Sequence, residues 1–121
     1  MRFLQSFRAL TMSLVMLANS AALFGGDQDF TLTNKTGFVI SSLYAAPLKD
    51  RMWGNDILGE DEMSSGKSLD ITFTGYGGKC RFDLMVKDQD DNEYTVEDIN
   101  LCEIHKITFT YKGKTMYWAA E

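Results

Sequence analysis

The stretch Cys80-Arg81-Phe82-Asp83-Leu84-Met85-Val86-Lys87 decides the fold. Cys80, Phe82, Leu84 and Val86 fall on one side of an extended chain, and Lys79, Arg81, Asp83 and Lys87 on the other. A period of two with apolar residues on one side marks a strand that packs one face on a core and wets the other. On this reading Cys80 points into the core. The polar run Asp88-Gln89-Asp90-Asp91-Asn92-Glu93 is turn chemistry, and Tyr94 and Val96 open a return strand, so residues 79–98 read as an antiparallel hairpin.

The same rhythm extends outward. Phe30 and Leu32 alternate with Thr31 and Thr33, and Asn34 to Gly37 turn the chain into a second strand over residues 38–44. This pair is either a hairpin or a corner. Leu69, Ile71 and Phe73 mark a third strand, followed by a flexible Gly75-Tyr76-Gly77-Gly78 connection into the hairpin. Ile107, Phe109 and Tyr111 mark a further strand, a turn is centred on Gly113, and residues 116–119 make a short last strand. No segment of ten or more residues carries a helical stripe. About seven short strands at this spacing predict an all-β chain folded as a single antiparallel β-sandwich.

Before the first strand, Arg2 and Arg8 stand without acidic neighbours, and an apolar run over residues 9–18 contains Leu14, Val15, Met16 and Leu17. That is the layout of a secretory signal peptide. Small residues allow cleavage after Ser20 or after Ala22, and the second gives a signal peptide over 1–22 and a β-sandwich domain over 23–121. Thr11, Ser13, Asn19 and Ser20 weaken the alternative of a membrane anchor, so no stable membrane span is expected after cleavage. Consecutive arginines of a twin-arginine signal are absent, as is a cysteine after the apolar run to accept a lipid. The expected destination is the periplasm or the exterior.

Removal of 22 from 121 residues leaves 99, one domain with a modest core. The whole chain carries a formal charge of −5, and loss of Arg2 and Arg8 leaves ten basic against 17 acidic residues, about −7. An acidic surface without a basic stripe repels phosphate backbones, which argues against nucleic acid as a partner. Cationic partners and metal ions are not excluded by charge. The two cysteines, Cys80 and Cys102, are expected to pair in an oxidising compartment. The bridge closes a loop of about 22 residues, worth about 3 kcal/mol in the chain-entropy account. A redox pair is the alternative, without a C-x-x-C pattern to support it.

One segment breaks the alternation: residues 47–66, with the only proline, Pro47, and the sequence Trp53-Gly54-Asn55-Asp56-Ile57-Leu58-Gly59. Connections this long inside a compact domain are often functional. Trp53, Asn55, Asp56 and Leu58 are therefore the candidate binding loop, a tryptophan offering a large, stiff contact with a polar handle. The competing reading folds Trp53, Ile57 and Leu58 down onto the sandwich, with Asp56 capping a turn and the glycines at positive φ.

Several phrases together carry a resemblance: Asn34-Lys35-Thr36-Gly37, the hydrophobic strand ending in Tyr44, the Trp53-Gly54-x-Asp56-x-Leu58-Gly59 loop, and Asn100-Leu101-Cys102-Glu103-Ile104. Over most of the chain after residue 22 the sequence resembles a largely uncharacterised group of small exported β-rich bacterial proteins, sometimes labelled argininosuccinate lyases or twin-arginine (Tat) pathway signal proteins. The resemblance implies a β-rich fold and an export route, and no activity. The lyase label belongs to a long helical enzyme several times this size, which a short β-rich chain does not match.

The acidic residues suggest hard-cation chemistry, because calcium needs several oxygen ligands close together. Asp88, Asp90 and Asp91 form one cluster, and Glu60, with Asp61 and Glu62, a second that could approach it. As an EF-hand the first cluster fails: its sixth position is Glu93 instead of Gly and its twelfth is Ile99 instead of Glu. A solvated hairpin turn explains it as well. His105 is the only histidine, which excludes a multi-histidine zinc site. Ser64 and Ser65 lack a nucleophile-elbow context, and abundant carboxylates alone do not indicate a glycosidase. Asn34-Lys35-Thr36 matches a glycosylation acceptor, although turn formation accounts for it. The leading expectation is an exported, non-enzymatic binding or structural module of the bacterial cell envelope, using the Trp53 loop and the aromatic end at Tyr117 and Trp118 toward a protein or envelope partner. A weak calcium-binding β-sandwich is second and a small hydrolase third.

Overall fold

The computed structural model describes residues 28–121, so the signal peptide expected over 1–22 lies outside the described residues. Seven strands follow in order: β1 (Phe30–Lys35), β2 (Ser42–Pro47), β3 (Ser68–Ile71), β4 (Arg81–Lys87), β5 (Glu93–Asn100), β6 (Lys106–Lys112) and β7 (Thr115–Ala120). They form two sheets, one in the order β3-β1-β6-β7 and the other β2-β4-β5. The fold is all-β, as the alternation predicts.

Apolar side chains from both sheets meet in one core. Phe30 and Leu32 of β1 and Ile107 and Phe109 of β6 face Leu43 of β2, Phe82, Leu84 and Val86 of β4, and Ile99 of β5, all buried. Each such side chain stabilises the fold by about 1.5–3 kcal/mol through removal of apolar surface from water. Alternation alone places those of β1, β4 and β6, because the period of a strand fixes which side chains share a face, whereas Ile99 faces the core out of phase with Val96 through the register shift in the β4–β5 ladder.

The chain turns a corner after β1. Asn34, fully buried, accepts hydrogen bonds at Oδ1 from the Thr36 amide and hydroxyl, and its Nδ2 donates to the carbonyls of Phe38 and Met63. Gly37, at φ 92°, completes the turn in the left-handed region that glycine enters without a Cβ penalty. The chain then enters the other sheet. Ile40 makes only an isolated bridge to Met63, and β2 proper runs on to Pro47, later than the residues 38–44 expected. Ala45 and Ala46 carry little strand propensity, and their pairing with Leu84 and Asp83 makes them strand.

One ladder is parallel, between β1 and β6. A parallel pair needs a long crossover, and here the whole second sheet lies between the two strands in sequence. The other ladders, β1–β3, β2–β4, β4–β5 and β6–β7, are antiparallel, and the expected hairpin over residues 79–98 is the β4–β5 pair.

Two expectations for the decisive stretch are corrected. Cys80 precedes β4 and is half-exposed instead of pointing into the core, because the strand begins only at Arg81. Asp83, assigned to the wet face, is fully buried, and Met85 beside it is 5% exposed. The register shifts between Phe82 and Leu84 where β4 pairs with β5, and the segment after β2 folds over the outer face at this point. Asp83 there accepts the amides of Lys49 (2.9 Å) and Asp98 (3.1 Å), with Arg51 Nε at 3.8 Å. Lys49, Arg51 and Asp98 all have positive φ, 64°, 62° and 62°. Three non-glycine residues in this region are strained, and the carboxylate that gathers two of their amides offsets that strain.

Candidate functional site

The long connection over residues 47–66 is fastened at both ends of its central part. Asp56 Oδ1 accepts the amides of Leu43 and Leu58, each at 2.9 Å, and the Ile57 amide donates to the Leu43 carbonyl. Leu58 enters the core at 7% exposure, and Met63 is fully buried. These bonds cover the outer edge of β2, whose unpaired backbone groups would otherwise invite pairing with another chain. The loop thus has a structural duty, carried by Asp56, Ile57, Leu58 and Met63.

Its other residues stay outside. Trp53 is half-buried, and Gly54 and Asn55 are exposed. The Arg51 guanidinium lies 5.6 Å from the centroid of the Trp53 ring, a cation–π contact, and pairs with Glu97 on β5. Facing this rim is the connection between β3 and β4. Gly75 (φ 96°) and Gly77 (φ 56°) turn that chain so that Tyr76 packs edge-on against Phe73 and Phe82, with ring centroids 5.5 and 5.3 Å apart. Between the two loops lies an open groove of about 410 Å³, lined by Ala45 of β2, by Trp53, Asn55 and Asp56 on one side, and by Thr72, Phe73, Thr74 and Tyr76 on the other.

Of the four loop residues singled out in the sequence, Trp53, Asn55 and Asp56 line the groove, and Leu58 is withdrawn into the core. The opposite wall was not legible as part of a site. Phe73 reads as the end of a strand and Tyr76 as part of a flexible linker; the one available signal was an aromatic pair, Phe73 and Tyr76, around a glycine.

The acidic turn has its own order. Asp88 Oδ1 accepts the amides of Asp90 and Asn92, and Oδ2 accepts the Asn92 side-chain amide and the Tyr94 hydroxyl. The Asn92 side-chain bond, with the two amides and the Tyr94 hydroxyl, holds the Asp88 pKa below its ordinary value. Burial, and then the bond to Asp88, raise the Tyr94 pKa to about 12. Tyr94 stacks on Phe38 at 5.0 Å, and Tyr111 meets both rings edge-on. Asp90, Asp91 and Glu60 are exposed, and among the described residues no three of His, Cys, Asp and Glu are gathered closely enough to hold a metal ion.

Cys80 and Cys102 form a disulfide with a Cα separation of 5.1 Å, tying the entry to β4 to the turn after β5. Ser65 Oγ accepts the Gly37 amide, and His105 Nδ1 bonds the Asp29 carbonyl, so each is engaged with backbone. At the aromatic end, Tyr117 is 52% exposed and Trp118 packs against the core.

The class that these features define is a two-sheet all-β domain, cross-linked by one disulfide, with a loop-built groove at the β2 edge. Comparison of the chain with protein-family models, with curated proteins and with solved structures returns no match.

Proposed function

We propose that the chain is an exported, non-enzymatic binding module and that the groove beside Trp53 receives its ligand. The observation that carries this reading is the division of labour within one loop. Asp56, Ile57 and Leu58 fasten it to β2 and the core, while Trp53 and Asn55, which do none of that fastening, stand at the rim of an open groove of about 410 Å³. That volume lies in the range of small-molecule sites, and loops on a rigid sheet are where binding residues concentrate. The disulfide suits an oxidising compartment, and with the N-terminal pattern of Arg2, Arg8 and residues 9–18 it supports export to the periplasm or exterior. The likeness to exported β-rich bacterial proteins agrees with this route.

The test is site-specific photo-crosslinking in the exporting cell, with the photoreactive residue at position 55 and, as control, at Lys114 in the β6–β7 turn. A discrete adduct from position 55 that is absent from position 114 is expected. No adduct, or the same adduct from both positions, refutes the groove as the site.

A further inference from the structure

We infer that the ligand of this groove is a neutral carbohydrate, a short oligosaccharide segment; the inference rests on the binding reading above and names its substrate class. A pyranose presents an apolar C–H face and a ring of hydroxyls, so a matching site combines aromatic surface with neutral hydrogen-bonding side chains. The groove has that combination: the indole of Trp53 and the rings of Phe73 and Tyr76, with the amide of Asn55 and the hydroxyls of Thr72 and Thr74. The Arg51 guanidinium, paired with Glu97 and 3.8 Å from Asp83, lies over the Trp53 ring and favours one orientation of it, which reduces the cost of ordering the ring on binding.

Two other ligand classes fit less well. No Lys, Arg or His lines the groove, and its one charged group is the carboxylate of Asp56, so an anionic ligand finds no counter-charge in the lining. An extended peptide binds a sheet through a free strand edge. Here Leu43 on the adjoining edge of β2 already receives the Ile57 amide and donates to Asp56, and Ile40 and Met63 exchange both backbone bonds. Along the groove itself only Ala45 of that edge is left, its carbonyl 3.5 Å from the Tyr76 hydroxyl, and Pro47 just beyond has no N–H, so the stretch is too short for an added strand. Recognition therefore rests on side-chain amide, hydroxyls and rings, as for a neutral polyol.

The experiment is saturation-transfer NMR on the full oxidised chain with three neutral trisaccharides as probes: cellotriose, maltotriose and chitotriose. At least one is expected to receive saturation, with the C–H protons of one ring face labelled most strongly. Trp53→Ala and Asn55→Ala should each abolish the transfer or weaken binding tenfold or more, whereas Lys112→Ala, at an exposed side chain at the end of β6 outside the groove lining, should leave it unchanged. Unaltered amide spectra outside the loop establish that each variant is folded. Transfer that persists in both groove variants overturns the inference. No transfer from any trisaccharide, together with a peptide adduct from crosslinking at position 55, overturns the carbohydrate assignment and leaves the groove as a binding site. No transfer and no adduct overturn both.

Discussion

Replacing Asp83 is expected to destabilise the domain more than any other single carboxylate substitution. The side chain is 0% exposed and accepts the amides of Lys49 at 2.9 Å and Asp98 at 3.1 Å. Asp83→Ala leaves both donors without their acceptor, at about 1–3 kcal/mol each, so about 4 kcal/mol in total. Arg51 does not add a buried-charge penalty, because its side chain is 47% exposed and keeps Glu97. Asp83→Asn retains one acceptor oxygen and turns an NH2 group toward the other donor, for about 2 kcal/mol. Against a total stability of about 5–15 kcal/mol these are large fractions. The assay is urea unfolding of the oxidised protein, with Asp90→Ala, an exposed carboxylate whose own side chain makes no bond to the turn, as a control expected within about 0.5 kcal/mol of the parent. Amide hydrogen exchange at Lys49 and Asp98 should accelerate in both Asp83 variants. The reasoning is refuted if Asp83→Ala unfolds at the parent's urea midpoint, or if the two amides stay protected.

Reduction of the disulfide, or Cys80→Ser with Cys102→Ser, should remove about 3 kcal/mol and lower the melting temperature by roughly 10–25 °C, as read by circular dichroism; an unchanged melting curve would show that the bridge constrains nothing. The Asp88–Tyr94 pair gives two pH windows. Because the folded-state pKa of Asp88 is lowered, its contribution is present above the ordinary value of 3.8 and fades as the pH falls through the lower folded value. Because that of Tyr94 is raised from 10.0 to about 12, its contribution is full below pH 10 and is lost as the pH rises through about 12. The stability gap between the parent and Tyr94→Phe should therefore narrow at both extremes, and a gap independent of pH from 3 to 12 would contradict the assignment.

The local pattern was sufficient for the all-β class, the β4–β5 hairpin and most of the core, because strand periodicity is set by neighbours in sequence: Phe82, Leu84 and Val86 are buried wherever the strand lies. The compartment argument likewise paired Cys80 with Cys102 from composition alone. Asp83 shows where this reasoning stops. Its alternation assigned it to water, and only a register shift in β4 and a segment 34 residues away, which brings the Lys49 amide, make it the centre of a buried knot. The parallel β1–β6 pair was out of reach, and at Asn34 the sequence left hairpin and corner both open, since either sheet could accept β2 on local grounds. In the groove, the Trp53 side was legible as an unusual loop, but Phe73 and Tyr76 became its other wall through two glycines at positive φ and packing on Phe82. Local sequence determined that the chain is all strand and turn, roughly where most strands lie, and which side chains of β1, β4 and β6 meet the core. Tertiary structure decided which strands are neighbours, which carboxylate is buried and which two loops enclose a groove, because those outcomes depend on contacts between residues that the chain holds far apart.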